Sequence, residues 1–223
     1  MQLTSLKKLT KENIFFQEPV VNKYGNKSIQ ITTNYGESQH LTTSLVIESP
    51  LLFSFGVQKS VDEVENLNGY SIPTCLWSEY KETSQKELDF YNGLKKIEEL
   101  CYEHLEKECG IETAEMLKIP LIEKDERPPI LYSKLIFSKK AQKIHTILHS
   151  RESNKENPLD YCDEHCKVKM SLIIESIYIS DKTVTLQIKV NDIFVKPILE
   201  RQVLVTLSDD EDEENQREGY IFF

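Results

Sequence analysis

The stretch from Cys166 to Val195 limits the fold more than any other part of the chain. Val168, Met170, Leu172 and Ile174 fall on one parity, and Lys167, Lys169 and Ser171 on the other. Successive side chains of a strand point to opposite faces, so this alternation predicts a strand with one buried face. Ser180-Asp181-Lys182-Thr183 interrupts it with turn-forming residues. Val184, Leu186, Ile188 and Val190 then resume the pattern, with Thr185, Gln187 and Lys189 outward. The stretch reads as a long hairpin, aliphatic inside, on which the rest of the chain is expected to assemble. Its outer face carries Lys167, Lys169 and Lys189, and Tyr178 lies near its turn.

Other strands follow the same logic. Ser28–Tyr35 and His40–Ile47 read as a second hairpin, and Leu51–Val57 as a short buried strand. Ser60–Asn68 reads as an acidic loop, and Gly69–Trp77 as an edge or irregular strand because Pro73 lacks an amide proton. Pro128-Pro129 opens a strand over Ile130–Phe137, with Leu131, Leu135 and Phe137 on one side and Tyr132 and Lys134 on the other. Ser138–Lys143 is a basic turn from which Ile144–Leu148 pairs back, Arg151–Asn157 is a polar loop, and Gln202–Leu207 is a final strand. One long helix is expected over Ser84–Gly110. Ser84 and Glu87 have capping-box spacing, and Leu88, Tyr91, Leu94, Ile97, Cys101 and Leu105 form an apolar stripe. Glu103 and Lys107 are spaced as an ion pair, Asn92-Gly93 looks like a turn inside the stripe, and Ile111–Lys118 continues as a short helix.

The chain has 223 residues and a net charge of −10, which at first argues against a nucleic-acid partner. The distribution reverses that argument. Residues 82–126 hold 6 basic and 13 acidic residues, and residues 208–223 hold 1 and 7. Residues 127–207, the strand-rich part, hold 13 basic and 9 acidic residues, a net +4. Partners respond to the local field more than to the sum. No apolar run is long enough to span a bilayer, so no membrane contact is expected. No secretion signal is read at the N-terminus, and five cysteines make an odd count, which fits reduced thiols in a cytosolic or nuclear compartment.

Lys134, Lys167, Lys169 and Lys189 fall on outward strand positions, with Tyr132 on the parity of Lys134. Strand faces that interleave lysines with rings suit single-stranded nucleic acid. Ammoniums meet phosphates, and rings stack on unpaired bases for about 1–3 kcal/mol each. The competing reading is a structural β protein whose outward lysines only keep its sheets apart. A second alternative comes from His145, His149, Cys162 and Cys166, whose spacing resembles a zinc finger in reversed order and fits a zinc-containing interaction or transcription module. Catalytic motifs are missing: there is no phosphate-binding glycine loop, nucleophile elbow or His-Glu-x-x-His, and only seven glycines in total. The chain therefore reads as non-enzymatic, with no cofactor. Its end is an acidic run containing Asp209, Asp210, Glu211 and Asp212, closed by Tyr-Ile-Phe222-Phe223. Terminal aromatics after an acidic run read as a docking peptide for a partner.

Several stretches together resemble the single-stranded DNA-binding proteins of large nucleocytoplasmic DNA viruses. They are Phe53-Ser54-Phe55-Gly56-Val57, Phe90–Lys95, Pro128–Leu135, Lys167-Val168-Lys169 and Ser176–Val195. The resemblance implies an OB-like antiparallel β core with an inserted helix. It carries the family's lysines onto Lys134, Lys167, Lys169 and Lys189 and a stacking ring onto Tyr178. Gln187 stands where a second ring would be. The tail is similar to those of bacterial and phage single-stranded DNA-binding proteins. The expectation is a mainly β, α+β protein: one OB-like domain over residues 1–207, with an N-terminal β extension and a helical insertion at 84–118, and a disordered tail over 208–223. It would bind single-stranded DNA in a viral replication system, in host cytoplasm or nucleus. The tail would provide autoinhibition and recruit replication proteins.

Overall fold

The paired runs of alternating residues on either side of Ser180 do form one hairpin. In the computed structural model, which describes residues 3–35, 38–61, 65, 67–150 and 157–198, Cys166–Ile179 and Val184–Pro197 pair antiparallel along their whole length. Ser180 closes the turn through its backbone and side chain, both bonded to Thr183. Five strands then close a ring. In chain order they are β1 (Leu52–Ser54), β2 (Leu67–Cys75), β3 (Arg127–Leu135), β4 (Cys166–Ile179) and β5 (Val184–Pro197). β1 pairs with β2 and β4, β2 with β3, and β5 with β4, all antiparallel. A short parallel contact, Lys134↔Lys189 and Leu135↔Val190, joins β3 to β5 and completes the barrel. The order 1-2-3-5-4 is that of an OB-like Greek-key barrel, so the fold is mainly β with one long helix.

β4 is long enough to serve more than the barrel. Beyond β1, its free edge pairs with Ser38–Glu48 and then with Lys27–Tyr35. These two strands form the expected hairpin, which extends the sheet past the barrel. Leu52, Ile72, Leu131, Val168, Leu186 and Val190 are buried in one apolar core with Ile29 and Ile47 of that extension.

The helix α1 (Gln85–Cys109) packs on the same core and lies between β2 and β3 in the chain. Its capping box is formed as expected, and Gly110 ends it at a φ of +89°. Its buried face differs from the expected stripe. Phe90 and Leu100 are buried, whereas Leu88 is 37% exposed. Gly93 is buried against Leu6: a Cβ there would lie 2.7 Å from the Leu6 side chain, which explains a turn-like dipeptide inside a continuous helix. Lys7 pairs with Asp89 at 2.8 Å and Lys11 with Glu103 at 2.7 Å, so Glu103 holds the N-terminal segment rather than Lys107.

Other boundaries move for local reasons. Gln58–Val61 is a strand paired with β2, and its last two residues fall at the start of what reads as an acidic loop. Pro73 is not on an edge, since β2 lies between β1 and β3. Tyr132, opposite Pro73, turns its N–H to Pro120 O, so the missing proline donor faces the other side, where the neighbouring chain breaks between Ser54 and Gln58. The second helix stops at Glu115, and Leu117–Lys118 pairs parallel with the start of β5. β3 ends at Leu135, and Phe137–Ser138 leaves it to pair with Lys143–Ile144. Ile147–Ser150 adds a parallel strand to β5. The expected strand Gln202–Leu207, the tail and most of the loop after Ser150 lie outside the described residues. No helix among the described residues is long and apolar enough to cross a membrane.

Candidate nucleic-acid interface

The parallel closure of the barrel puts two lysines side by side. Lys134 on β3 and Lys189 on β5 are register partners, and both project outward because Leu135 and Val190 fill the interior. Lys134 Nζ donates to Gln187 Oε1 at 3.0 Å. Lys189 Nζ is held by Glu175 Oε1 at 2.7 Å, where β4 bulges between Ile174 and Ser176. The Lys134 side chain is exposed, yet protein crowds its ammonium. That loss of hydration, and then the charge of Lys189, push its pKa below the ordinary lysine value, while Glu175 acts the other way.

Lys134, Gln187 and Lys189 line a depression of about 420 Å³ where the outer face of β3 and β5 meets the first residues of β2. Tyr132 contributes a half-buried ring. Tyr70 and Phe137 form the opposite wall, packed edge to face with centroids 5.2 Å apart. Lys139 projects nearby and donates to Asn68 Oδ1 at 2.6 Å. A smaller hollow of about 210 Å³ shares Tyr132, Lys134 and Gln187 and adds Lys118 and Thr185. OB barrels bind extended polymers on the face of strands 2 and 3.

Tyr178 borders this region. It is the register partner of Thr185, whose hydroxyl accepts from Gln187 Nε2 at 2.7 Å, and its own hydroxyl accepts from Asn26 Nδ2 at 2.6 Å. Lys167 and Lys169 do not join it. They lie near the opposite end of β4, so Lys167 is about 35 Å from Tyr178 along the strand. Lys169 pairs with Glu48 at 2.8 Å, and Lys167 lies opposite Phe53 and Lys196. The structure thus gathers Tyr132, Lys134 and Lys189, with Tyr178 at the margin. Reading outward parity alone missed Tyr70, Phe137 and Lys139. Phe137 shares the parity of buried Leu131 and Leu135, and only the end of β3 at Leu135 frees it from that side. Asp209, Asp210, Glu211, Asp212, Phe222 and Phe223 lie outside the described residues.

The His/Cys set is dispersed. His149 Nε2 faces Asp192 at 3.3 Å, His145 is exposed, and Cys166 is buried at the start of β4. Among the described residues, no three His, Cys, Asp or Glu side chains are grouped to hold a metal ion.

Comparison with known proteins finds one family and two similar proteins. Residues 8–219 match the model of a family described as "Protein of unknown function (DUF2738)". The chain is 28% identical over 180 residues to the "Early 31 kDa protein" of Frog virus 3 (isolate Goorha), an alignment covering 74% of this chain and 68% of that one. Among solved structures, it is similar to gp2.5, a single-stranded DNA binding protein encoded by bacteriophage T7. The TM-score is 0.46 at 11% identity, over 81% of this chain and 100% of that chain.

Proposed function

The chain belongs to the DUF2738 family, whose description assigns no function, and we propose that it is a non-enzymatic protein that binds single-stranded DNA on the outer face of β2, β3 and β5. One observation carries the reading: three rings and two ammoniums line a single depression on an OB-like barrel, and a third ammonium, that of Lys139, is held beside it by Asn68. Tyr70, Tyr132 and Phe137 offer apolar surface to bases, and Lys134, Lys139 and Lys189 offer charge to phosphates. Neither group alone would suffice. Lysines without rings bind duplex as readily, and rings without lysines leave the phosphates uncompensated.

The internal partners of the lysines are weak. Gln187 is neutral, and an ion pair as exposed as Lys189–Glu175 is worth about 0–1 kcal/mol. Phosphates can replace both. The resemblance to viral single-stranded DNA-binding proteins and the similarity to a Frog virus 3 protein support a role in a viral replication system. The acidic residues of 208–223 then act as an internal competitor for the basic face, and Phe222 and Phe223 as the contact for a replication partner.

Oligo-dT binding followed by fluorescence anisotropy tests the site. Tyr132→Ala is expected to weaken binding by about 1–3 kcal/mol with little change in salt dependence. Lys134→Ala with Lys189→Ala is expected to weaken binding and flatten that dependence. Wild-type affinity in both variants would place the site elsewhere.

A further inference from the structure

We infer that a second base-stacking subsite, built from Phe53, Phe55, His165 and Lys167, continues the path of the single strand around the barrel. The inference rests on the proposed DNA-binding reading and extends its site. The three rings form one cluster across β1 and the chain entering β4, with centroids 5.2, 5.4 and 5.9 Å apart. All three contacts are edge to face, at interplanar angles of 87°, 65° and 79°. Each such contact covers one face of only one ring of the pair. Phe16 and His104 show the contrast: they stack face to face at 4.1 Å and 7°, and so occupy each other. His165 is exposed and the two phenylalanines are half-buried, so the cluster opens to solvent.

Its geometry is fixed by backbone, not by the rings themselves. Val57 N donates to Tyr161 O at 2.8 Å, and Asp163 N to Val57 O at 3.1 Å. Gly56 makes this approach possible. Its φ is +85°, and a Cβ there would lie 2.5 Å from Glu164 N and 2.7 Å from Tyr161 O. The segment carrying Phe55 is therefore clamped to the segment that leads into His165. A site held this way loses little side-chain freedom when a base arrives.

Charge and position both fit the strand's path. Lys167 is the register partner of Phe53 on one side and of Lys196 on the other, so two exposed ammoniums lie in line beside the rings. Phe53 is opposite Cys75, which is opposite Ile130, two residues before Tyr132 on β3. Two strands across and two residues along put Phe53 about 12 Å from Tyr132. The subsite thus lies on the same outer surface as the first depression, one short step around the barrel.

The test compares wild type, His165→Ala and Lys167→Ala on dT oligomers of about 5 and about 15 nucleotides, lengths spanning one OB fold's range of site sizes. Both substitutions are at exposed positions, and unchanged circular dichroism and Tm confirm folding. Wild type is expected to bind the longer oligomer more tightly than its extra registers alone allow. Each variant should lose on the order of tenfold on the longer oligomer and nothing on the shorter. His165→Tyr should restore the longer-oligomer affinity, because stacking needs a ring and not an imidazole. Equal affinities of wild type and both variants on both lengths would overturn the subsite while leaving the first site standing. A loss equal on both lengths would also overturn it. Failure of wild type to bind either oligomer would overturn the DNA-binding reading itself, and this inference with it.

Discussion

Lys134 links protonation, stability and binding in one side chain. Its pKa is lowered first by lost hydration and then by Lys189, so the charged form is disfavoured in the folded protein. The unfolded chain binds that proton more tightly. Between the lowered pKa and the ordinary value near 10.5 the unfolded state holds more protons, and stability rises with pH there; below that window the charged lysine is a constant destabilising term. Lys134→Met is therefore expected to raise Tm at neutral pH while weakening oligo-dT binding. A bound phosphate would reverse the bias and raise the pKa. Affinity should then fall as pH rises through the lowered lysine value, and Lys134→Arg, which keeps its charge, should resist that fall. Glu175→Gln supplies the complementary test. It frees Lys189 from a 2.7 Å ion pair and should strengthen binding by up to several-fold, as a low-salt titration would reveal. Outward parity puts Tyr132, Lys134 and Lys189 on the outer face, where the structure has them, but parity has no information on how far apart two outward residues lie along a strand. Lys167 and Lys169 satisfied the same rule at the other end of β4.

At the scale of elements, local signals succeeded where the chain's own geometry decides the outcome. The hairpin of β4 and β5 was legible because period-two alternation and a turn tetrapeptide sit next to each other in sequence. The ends of α1 were legible because a capping box and a terminal glycine are local devices. Its buried face was less so. Phe90 and Leu100 are selected over Leu88 by what lies beneath the helix, which is distant in sequence. Gly93 shows the same dependence. Alone it looks like a defect costing about 1 kcal/mol of helix propensity. In place it makes room for Leu6. A double-mutant cycle separates these effects. Gly93→Ala should lower or fail to raise Tm in wild type, yet be better tolerated in a Leu6→Ala background, where only the 3.0 Å contact to the residue 6 Cβ remains against a propensity gain of about 1 kcal/mol. Additive effects would show that Leu6 does not depend on the missing Cβ. Pro73 teaches the converse: a proline argues for an edge only if a neighbour needs its donor, and here the neighbouring strand is interrupted at that position.

For the whole molecule, the step hardest to read from sequence is also the one that makes the site. The parallel contact between β3 and β5 joins segments more than 50 residues apart, with no turn to announce it. It closes the barrel and brings Lys134 beside Lys189. The charge segregation behind this arrangement was visible from the sequence, since residues 127–207 carry a net +4 in a chain of net −10. Removing residues 208–223 should raise affinity for single strands, most at low salt where screening is weak. Removing only Phe222 and Phe223 should leave that affinity unchanged and abolish recruitment of the proposed replication partner, as measured by co-precipitation from infected-cell extract. The most direct test of the proposed function is a titration of the 223-residue chain with poly-dT and with a duplex of equal length at two salt concentrations. Three ammoniums at phosphates predict tighter binding to poly-dT and a log–log salt slope of about −2. Equal affinity for duplex, or binding to poly-dT that ignores salt, would contradict it.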